Sequence, residues 1–279
     1  MTDAAPRDPS PDSRDTPRRT NPPTTAEVPG PPEPAWLPAW LAAALRRLVD
    51  WTSPRAALLI TLAVGLIPAL LLTLGSAEVY DAVAESDGVA QLDHPVLKAA
   101  QAVRSPELDA AVTGFTNLAG PVGMPILAAA VTLIMVLRWR TWTPLLLMVC
   151  AAAGSLLMTV AGKDLIGRDR PPLADAIPPY EYSASFPSGH SLNSVVMAGM
   201  AAYLIILHLH TRRAKMLTLA VAVLFAAAVG LSRVYLGHHW FTDVLVAWTL
   251  GLAWLAVVIT AHRLLHSRRI ADRDANATV

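Results

Sequence analysis

Long apolar runs alternate with short polar connections over most of this chain, and each run is about as long as a bilayer is thick. They fall at 56–74, 118–137, 142–162, 192–209, 214–231 and 243–262, each close to the ~20 residues a spanning helix requires. The pattern predicts an all-α polytopic membrane protein with six transmembrane helices. The second run is the least regular, because Pro121 and Pro125 sit at its start and Asp109 blocks a longer span upstream. Residues 1–35 break the pattern: ten prolines stand among Ser, Thr, Asp and Arg, with almost nothing to bury, so the segment reads as a disordered Pro-rich tail. It contains no early apolar stretch of the kind that marks a cleaved signal peptide. Residues 36–55 mix Trp, Leu and Ala with Arg46 and Arg47, which suits an amphipathic helix in the membrane interface. An ordinary helix packed on a loop fits them as well. The expected organisation is tail 1–35, interfacial segment 36–55, membrane domain 56–265 and a second tail 266–279.

Composition narrows the class. Hydrophobic residues make up 54% and charged residues 15% of the chain, with a mean hydropathy of +0.44, too apolar for a soluble domain of this length. A net charge of +1 excludes a general nucleic-acid binder, which needs a marked basic surplus. The single cysteine, Cys150, lies inside an apolar run, so neither an intrachain disulfide nor a cysteine metal cluster is expected. Outside the tail, twelve Lys and Arg residues lie on one side of the predicted spans and six on the other. The positive-inside rule then puts both termini in the cytoplasm and the loops 75–117, 163–191 and 232–242 outside.

Three polar groups fall on the outer side. In the first, Phe186-Pro187-Ser188-Gly189-His190 enters an apolar run. Ser188 is placed to cap the helix, Gly189 to let the backbone approach a ligand, and the free amides of the first turn to face an anion. A plain helix cap explains the same residues about as well. The second group ends the third run: Lys163 and Arg170 are seven residues apart, two helical turns, so both cations are expected on one face before Pro171 stops the helix. Snorkelling to headgroups is the alternative, though these cations sit where the charge rule expects few. In the third group, Arg233 precedes His238, His239 and Asp243. The four-residue spacing of His239 and Asp243 lets the carboxylate engage one ring nitrogen and leave the other free to act. A capping pair or a small zinc site are the competing readings, and the zinc reading lacks ligands.

Together these groups carry a resemblance. Lys163 with Arg170-Pro171, then Pro187-Ser188-Gly189-His190, then Ser232-Arg233 with His239 and Asp243 is similar to the three-part signature of the type 2 phosphatidic acid phosphatase superfamily. Arg104 to Asp109 resembles a weaker upstream pattern of bacterial members. The resemblance spans about residues 76–262 and implies a six-helix membrane enzyme that hydrolyses a lipid phosphomonoester or pyrophosphate through a phosphohistidine, with no metal or other cofactor. It implies His239 as nucleophile, Asp243 as its orienting carboxylate and His190 as the acid. Lys163, Arg170, Arg233, Ser188 and Gly189 become the phosphate ligands.

The expected partners are the bilayer and a lipid phosphate: an isoprenoid diphosphate such as undecaprenyl diphosphate, phosphatidic acid, phosphatidylglycerophosphate or diacylglycerol pyrophosphate. The expected location is a bacterial plasma membrane with the site on the extracytoplasmic face. The loop 172–185, with Asp175, Tyr180, Glu181 and Tyr182, lies outside the signature and is the candidate for selectivity. A membrane phosphotransferase would use the same residues. A vanadium-dependent haloperoxidase shares the anion pocket but, as a family, lacks the membrane spans. A channel would place polar residues along the helix interiors, and these runs are nearly free of charge.

The charge rule yields a direct test. In a background with Cys150 replaced, an impermeant thiol reagent should label Ser183→Cys in intact cells and leave Thr211→Cys unlabelled; the opposite pattern would put the site in the cytoplasm.

Overall fold

The computed structural model describes residues 54–277, together with Trp40 and Ala43. The expected tail 1–35 and nearly all of the expected interfacial segment 36–55 therefore lie outside the described residues. The rest is helical. In chain order the helices are α1 (Pro54–Glu85), α2 (Asp93–Ala102), α3 (Pro106–Leu118), α4 (Gly123–Trp139), α5 (Thr143–Ile166), α6 (Gly189–Ile206), α7 (Arg212–Tyr235) and α8 (Phe241–Ala277), with short 3-10 turns at Gly88–Leu92 and Leu173–Asp175. No strand occurs among the described residues.

Five helices, α1 and α5 to α8, are each long and apolar enough to cross a membrane. Among the described residues a sixth span requires α3 and α4 taken together, since they qualify only as a pair, bent by 51° where they meet. Pro121 lies in that break, between Leu118 and Gly123, and cannot supply the amide that would continue the ladder. The expected span 118–137 thus covers α4 and the break, while α3 is a separate, upstream helix. Its start is well specified: the Ser105 hydroxyl accepts from the Leu108 amide at 3.2 Å, Pro106 fills the first turn, and Glu107 and Asp109 lie at the positive end of the dipole.

Two helices outrun their apolar segments. α1 continues from the expected limit near 74 to Glu85, with Ser76 hydrogen-bonded to Thr249 of α8 at 2.7 Å. It stops where Ser86 and Gly88 take positive φ angles of 57° and 50°. α8 runs on to Ala277, so the backbone of most of the expected C-terminal tail 266–279 is helical.

α6 is the central element. Half of its apolar window is buried, against 6% for α1, and Leu192, Val196 and Met200 are completely enclosed by α5, α7 and α8. α1 lies along α8. The outward faces of α1, α4, α5 and α7 expose Leu70, Leu137, Leu157 and Leu224, as lipid-facing helices do once their backbone polar groups are satisfied internally. Where α5 passes the start of α6, small residues allow close contact. A Cβ on Gly162 would lie 2.5 Å from Pro187 Cδ, and one on Gly189 would lie 3.0 Å from Thr159 Cγ2. That contact fixes the elbow before α6 against the end of α5.

Candidate active site

The three polar groups converge at one end of the bundle. His239 sits just before α8 and is almost fully buried. Its Nδ1 lies 3.5 Å from Asp243 Oδ2 and 3.4 Å from the Ser185 hydroxyl. Its Nε2 points the other way, 3.3 Å from Arg170 Nη1. A guanidinium is only a donor, so it faces a lone pair on Nε2, and the ring proton belongs on Nδ1 beside the carboxylate. Burial, followed by the charges of Arg170 and Arg233, holds the His239 pKa well below its ordinary value. The ring is therefore neutral near pH 7, the state in which a histidine is a nucleophile.

At 3.5 Å the His239–Asp243 contact is electrostatic more than a hydrogen bond. What fixes Asp243 is other groups: Ser185 Oγ donates to Oδ2 at 2.5 Å, the Trp240 amide to Oδ2 at 2.9 Å, and Arg168 Nη1 to Oδ1 at 2.6 Å. Arg168 also pairs with Asp93 Oδ2 at 2.7 Å. Asp93 in turn accepts from the Thr242 amide and hydroxyl, both at 2.8 Å. Asp93, on α2, is 3% exposed, so a buried chain of alternating charge, Asp93–Arg168–Asp243, stands behind the histidine. Arg168 is not one of the signature positions, and Asp93 carries no local signal because its partners are far away in sequence.

The cations meet by a route other than helical spacing. α5 ends at Ile166, with Gly167 left-handed at φ 62°, so Arg170 is on a loop and not two helical turns above Lys163. Both reach the same piece of chain instead. Lys163 Nζ donates to Ser183 Oγ at 3.2 Å and to the Ala184 carbonyl. Arg170 donates to Ser183 O at 2.6 Å and Ser183 Oγ at 3.1 Å. Its Nη1 also reaches the His238 carbonyl at 2.6 Å. Arg233 is 2% exposed and faces Thr116 Oγ1 at 3.3 Å and Glu181. Its Nε is buried without a hydrogen-bond partner among the described residues, a costly state for a charged donor unless an anion is to be received.

Ser188 stands at the N-cap of α6, but its side chain does not cap; Oγ bonds Ser191 Oγ at 2.8 Å. At Gly189 a side chain would crowd the Thr159 methyl of α5. His190 lies in the first turn, beside Gly120, where an added Cβ would be 3.3 Å from Nε2. His238 is fixed through Nε2, which donates to the Ile177 carbonyl at 2.7 Å, and its Nδ1 faces Glu181 at 3.9 Å. Arg104 and Asp109, the upstream pattern, brace the end of α7: Arg104 donates to the carbonyls of Tyr235 and Asp175, and Asp109 accepts from the Tyr235 hydroxyl at 2.6 Å.

Glu181 completes the cluster. Its carboxylate bridges Arg170, at 2.9 Å, and Arg233. Burial opposes its ionisation, but the charges of Arg233 and Arg170 outweigh that effect and hold its pKa at about 2. Among the described residues no group of three or more His, Cys, Asp or Glu is arranged to hold a metal ion.

An apolar helix bundle with a histidine set beside clustered arginines at one end defines a polytopic membrane protein. The chain belongs to the PAP2 superfamily, whose model matches residues 126–266. Phosphatidylglycerophosphatase B of Bacillus subtilis (strain 168) is 36% identical over 168 residues, covering 60% of this chain and 81% of that protein. The crystal structure of a transmembrane PAP2 type phosphatidylglycerolphosphate phosphatase from Bacillus subtilis superposes with a TM-score of 0.64 at 32% identity, over 70% of this chain and 96% of that one. These relationships support a membrane lipid phosphatase.

The buried charge chain makes a prediction about stability. Replacing Arg168 by Met leaves Asp93 and Asp243 buried without their shared counter-ion, and breaking such a pair costs about 3–5 kcal/mol. Thermal unfolding in detergent should occur at clearly lower temperature than for wild type, and Asp93→Asn, which removes one of the two carboxylates, should be milder.

Proposed function

We propose that the chain hydrolyses the terminal phosphate of a membrane lipid through a phosphohistidine on His239, at the extracytoplasmic face and without a metal. The observation that carries this reading is the disposition of His239: one nitrogen backed by Asp243, the other aimed at a group of fixed cations. In the reaction His239 Nε2 attacks phosphorus in line and the bond to the lipid oxygen breaks. His190 protonates that oxygen, and the lipid alcohol or the shortened lipid phosphate leaves. Asp243 stabilises the imidazolium as charge develops on it. His190, now basic, takes a proton from water, which attacks phosphorus; the P–N bond breaks and inorganic phosphate is released from a neutral His239.

Lys163, Arg170 and Arg233 offer positive charge to the equatorial oxygens, with the amides at the start of α6 and Ser188 beside them. Arg233 Nε gains the partner it lacks. With three cations around one dianion there is no charge deficit for a divalent ion to fill. The charge asymmetry of the loops supports an outward-facing site, and the lipid-exposed helices around it support a lipid substrate. Phosphatidylglycerophosphate heads the candidates, since the relatives are phosphatases of that lipid, and undecaprenyl diphosphate and phosphatidic acid complete the panel.

Phosphate release by purified protein, assayed on that panel in detergent with EDTA throughout, is the deciding measurement. Activity should persist in EDTA and be inhibited by orthovanadate, which adopts the five-coordinate geometry of the transition state; loss in EDTA with recovery on zinc would refute the reading. His239→Ala should lower kcat by at least about 10³-fold, as expected for a deleted nucleophile. For His190→Ala the loss should reach about 10²- to 10⁴-fold on a lipid phosphate and be much smaller on an aryl phosphate, whose leaving group needs no proton. Equal losses would make His190 a phosphate ligand only.

A further inference from the structure

The cations that the proposed reaction assigns to substrate phosphate already hold an anion supplied by the protein. Glu181 lies 2.9 Å from Arg170 Nη2, pairs with Arg233 through its other oxygen, and stands 4.0 Å from His239 Nε2 and 3.9 Å from His238 Nδ1. A phosphorus poised for attack would be about 3–3.5 Å from the nucleophilic nitrogen, with its oxygens on the same guanidinium groups. The carboxylate therefore occupies the ground that the phosphate needs. Both anions would take the same guanidinium groups in front of His239 Nε2, so carboxylate and phosphate exclude each other.

We propose that Glu181 is an internal substitute for the phosphate, seated on Arg170 and Arg233 between turnovers and exchanged for the phosphate of each incoming lipid; this rests on the lipid-phosphatase reading above. The segment that carries it is built for such an exchange. Upstream it is pinned at Ile177, whose amide donates to the Leu236 carbonyl at 2.9 Å and whose carbonyl accepts from His238. Downstream it is pinned at Ser183 by Arg170 and at Ser185, whose amide donates to the Arg168 carbonyl at 2.8 Å. Between these anchors Tyr180 and Tyr182 are exposed, the latter at 82%. Glu181 is thus the one inward-facing side chain of a short span held at both ends. Arg170 does not depend on it for position, because two carbonyls and a hydroxyl already hold that guanidinium.

The exchange has a consequence for which anions can occupy the site in a bilayer. Most bilayer headgroups are phosphodiesters with one negative charge, present around the site at high local concentration. A diester replacing Glu181 brings the cations no more charge than it displaces, and it competes against a tethered group. A terminal phosphate brings a second charge. Glu181 lowers the apparent affinity for every anion by the same factor; weakly held diesters then stay out, and product phosphate is expelled after hydrolysis.

The experiment compares wild type with the isosteric, uncharged Glu181→Gln, both purified in detergent. Inorganic phosphate binding is measured by calorimetry, and inhibition of turnover by inorganic phosphate and by dibutyl phosphate is measured in parallel. The expected result is phosphate binding about tenfold tighter in Glu181→Gln, if the unblocked state is about a tenth of the wild-type population. Dibutyl phosphate should inhibit the variant at concentrations that leave wild type unaffected, and Glu181→Asp should lie between the two. Unchanged or weaker phosphate binding by folded Glu181→Gln would overturn the proposal, since a carboxylate that merely orders the two arginines predicts that sign.

Should the variant not fold, a nitroxide on Tyr182→Cys, with Cys150 replaced and Glu181 intact, reads the same event. Saturating phosphate should increase its mobility, and an unchanged spectrum would equally overturn the exchange. The calorimetric comparison needs no turnover. Tighter phosphate binding by Glu181→Gln in a protein inactive on every lipid phosphate would defeat the proposed function and leave the exchange standing.

Discussion

The guanidinium of Arg168, held between Asp93 and Asp243, is the interaction on which the geometry of the site rests. It joins three pieces of chain that no local preference would bring together: the start of α2, the loop after α5 and the first turn of α8. Taking such charges out of water costs several kcal/mol for each ion, and the gain within the cluster offsets this only where the remaining lone pairs are satisfied. Here they are, by Ser185, the Trp240 amide and both donors of Thr242. The return is position more than stability. With Asp243 immobile, the imidazole of His239 has one tautomer and one direction, and its free nitrogen faces the cations.

A second constraint is charge balance at the end of an apolar bundle. Lys163, Arg170 and Arg233 are gathered close together, and their mutual repulsion in a partly dehydrated site has to be answered by an anion. The loop 172–185 answers it in two ways. Its carbonyls at Ser183 and Ala184 take hydrogen bonds from Lys163 and Arg170, and Glu181 adds a full negative charge. The loop is therefore part of the site's electrostatics and not only its rim, although none of the signature residues lies on it.

The membrane helices supply the rigidity this arrangement needs. α6 is packed on several sides and starts at the elbow that carries Ser188, Gly189 and His190, while α5 contacts the same elbow through Gly162 and Thr159. The bent pair α3 and α4 brings Thr116 to Ser232 and Arg233. Charged groups collect at helix ends, where loops and caps satisfy them, and the middles of the spans hold apolar side chains with scattered hydroxyls bonded within the bundle.

The length of the apolar runs by itself determined that the chain is an all-helical membrane protein, because an uninterrupted apolar segment of about 20 residues matches the bilayer as a helix, whereas a barrel strand is about half that length and alternates. The signature spacing likewise marked His190, His239, Asp243 and the three cations, and the fold gathers the groups that carry them at one end of the bundle. Tertiary structure decided the rest. Lys163 and Arg170 converge through a loop after Gly167 ends α5, not along a helical face. Ser188 turns to Ser191 instead of capping, and the second crossing breaks at Pro121. Asp93, Arg168 and Ser185 became visible only in three dimensions, where residues up to 149 positions apart share a hydrogen bond. Such contacts leave no trace in local pattern: a buried ion pair is defined by the distance between its partners, and that distance exists only once the helices have packed.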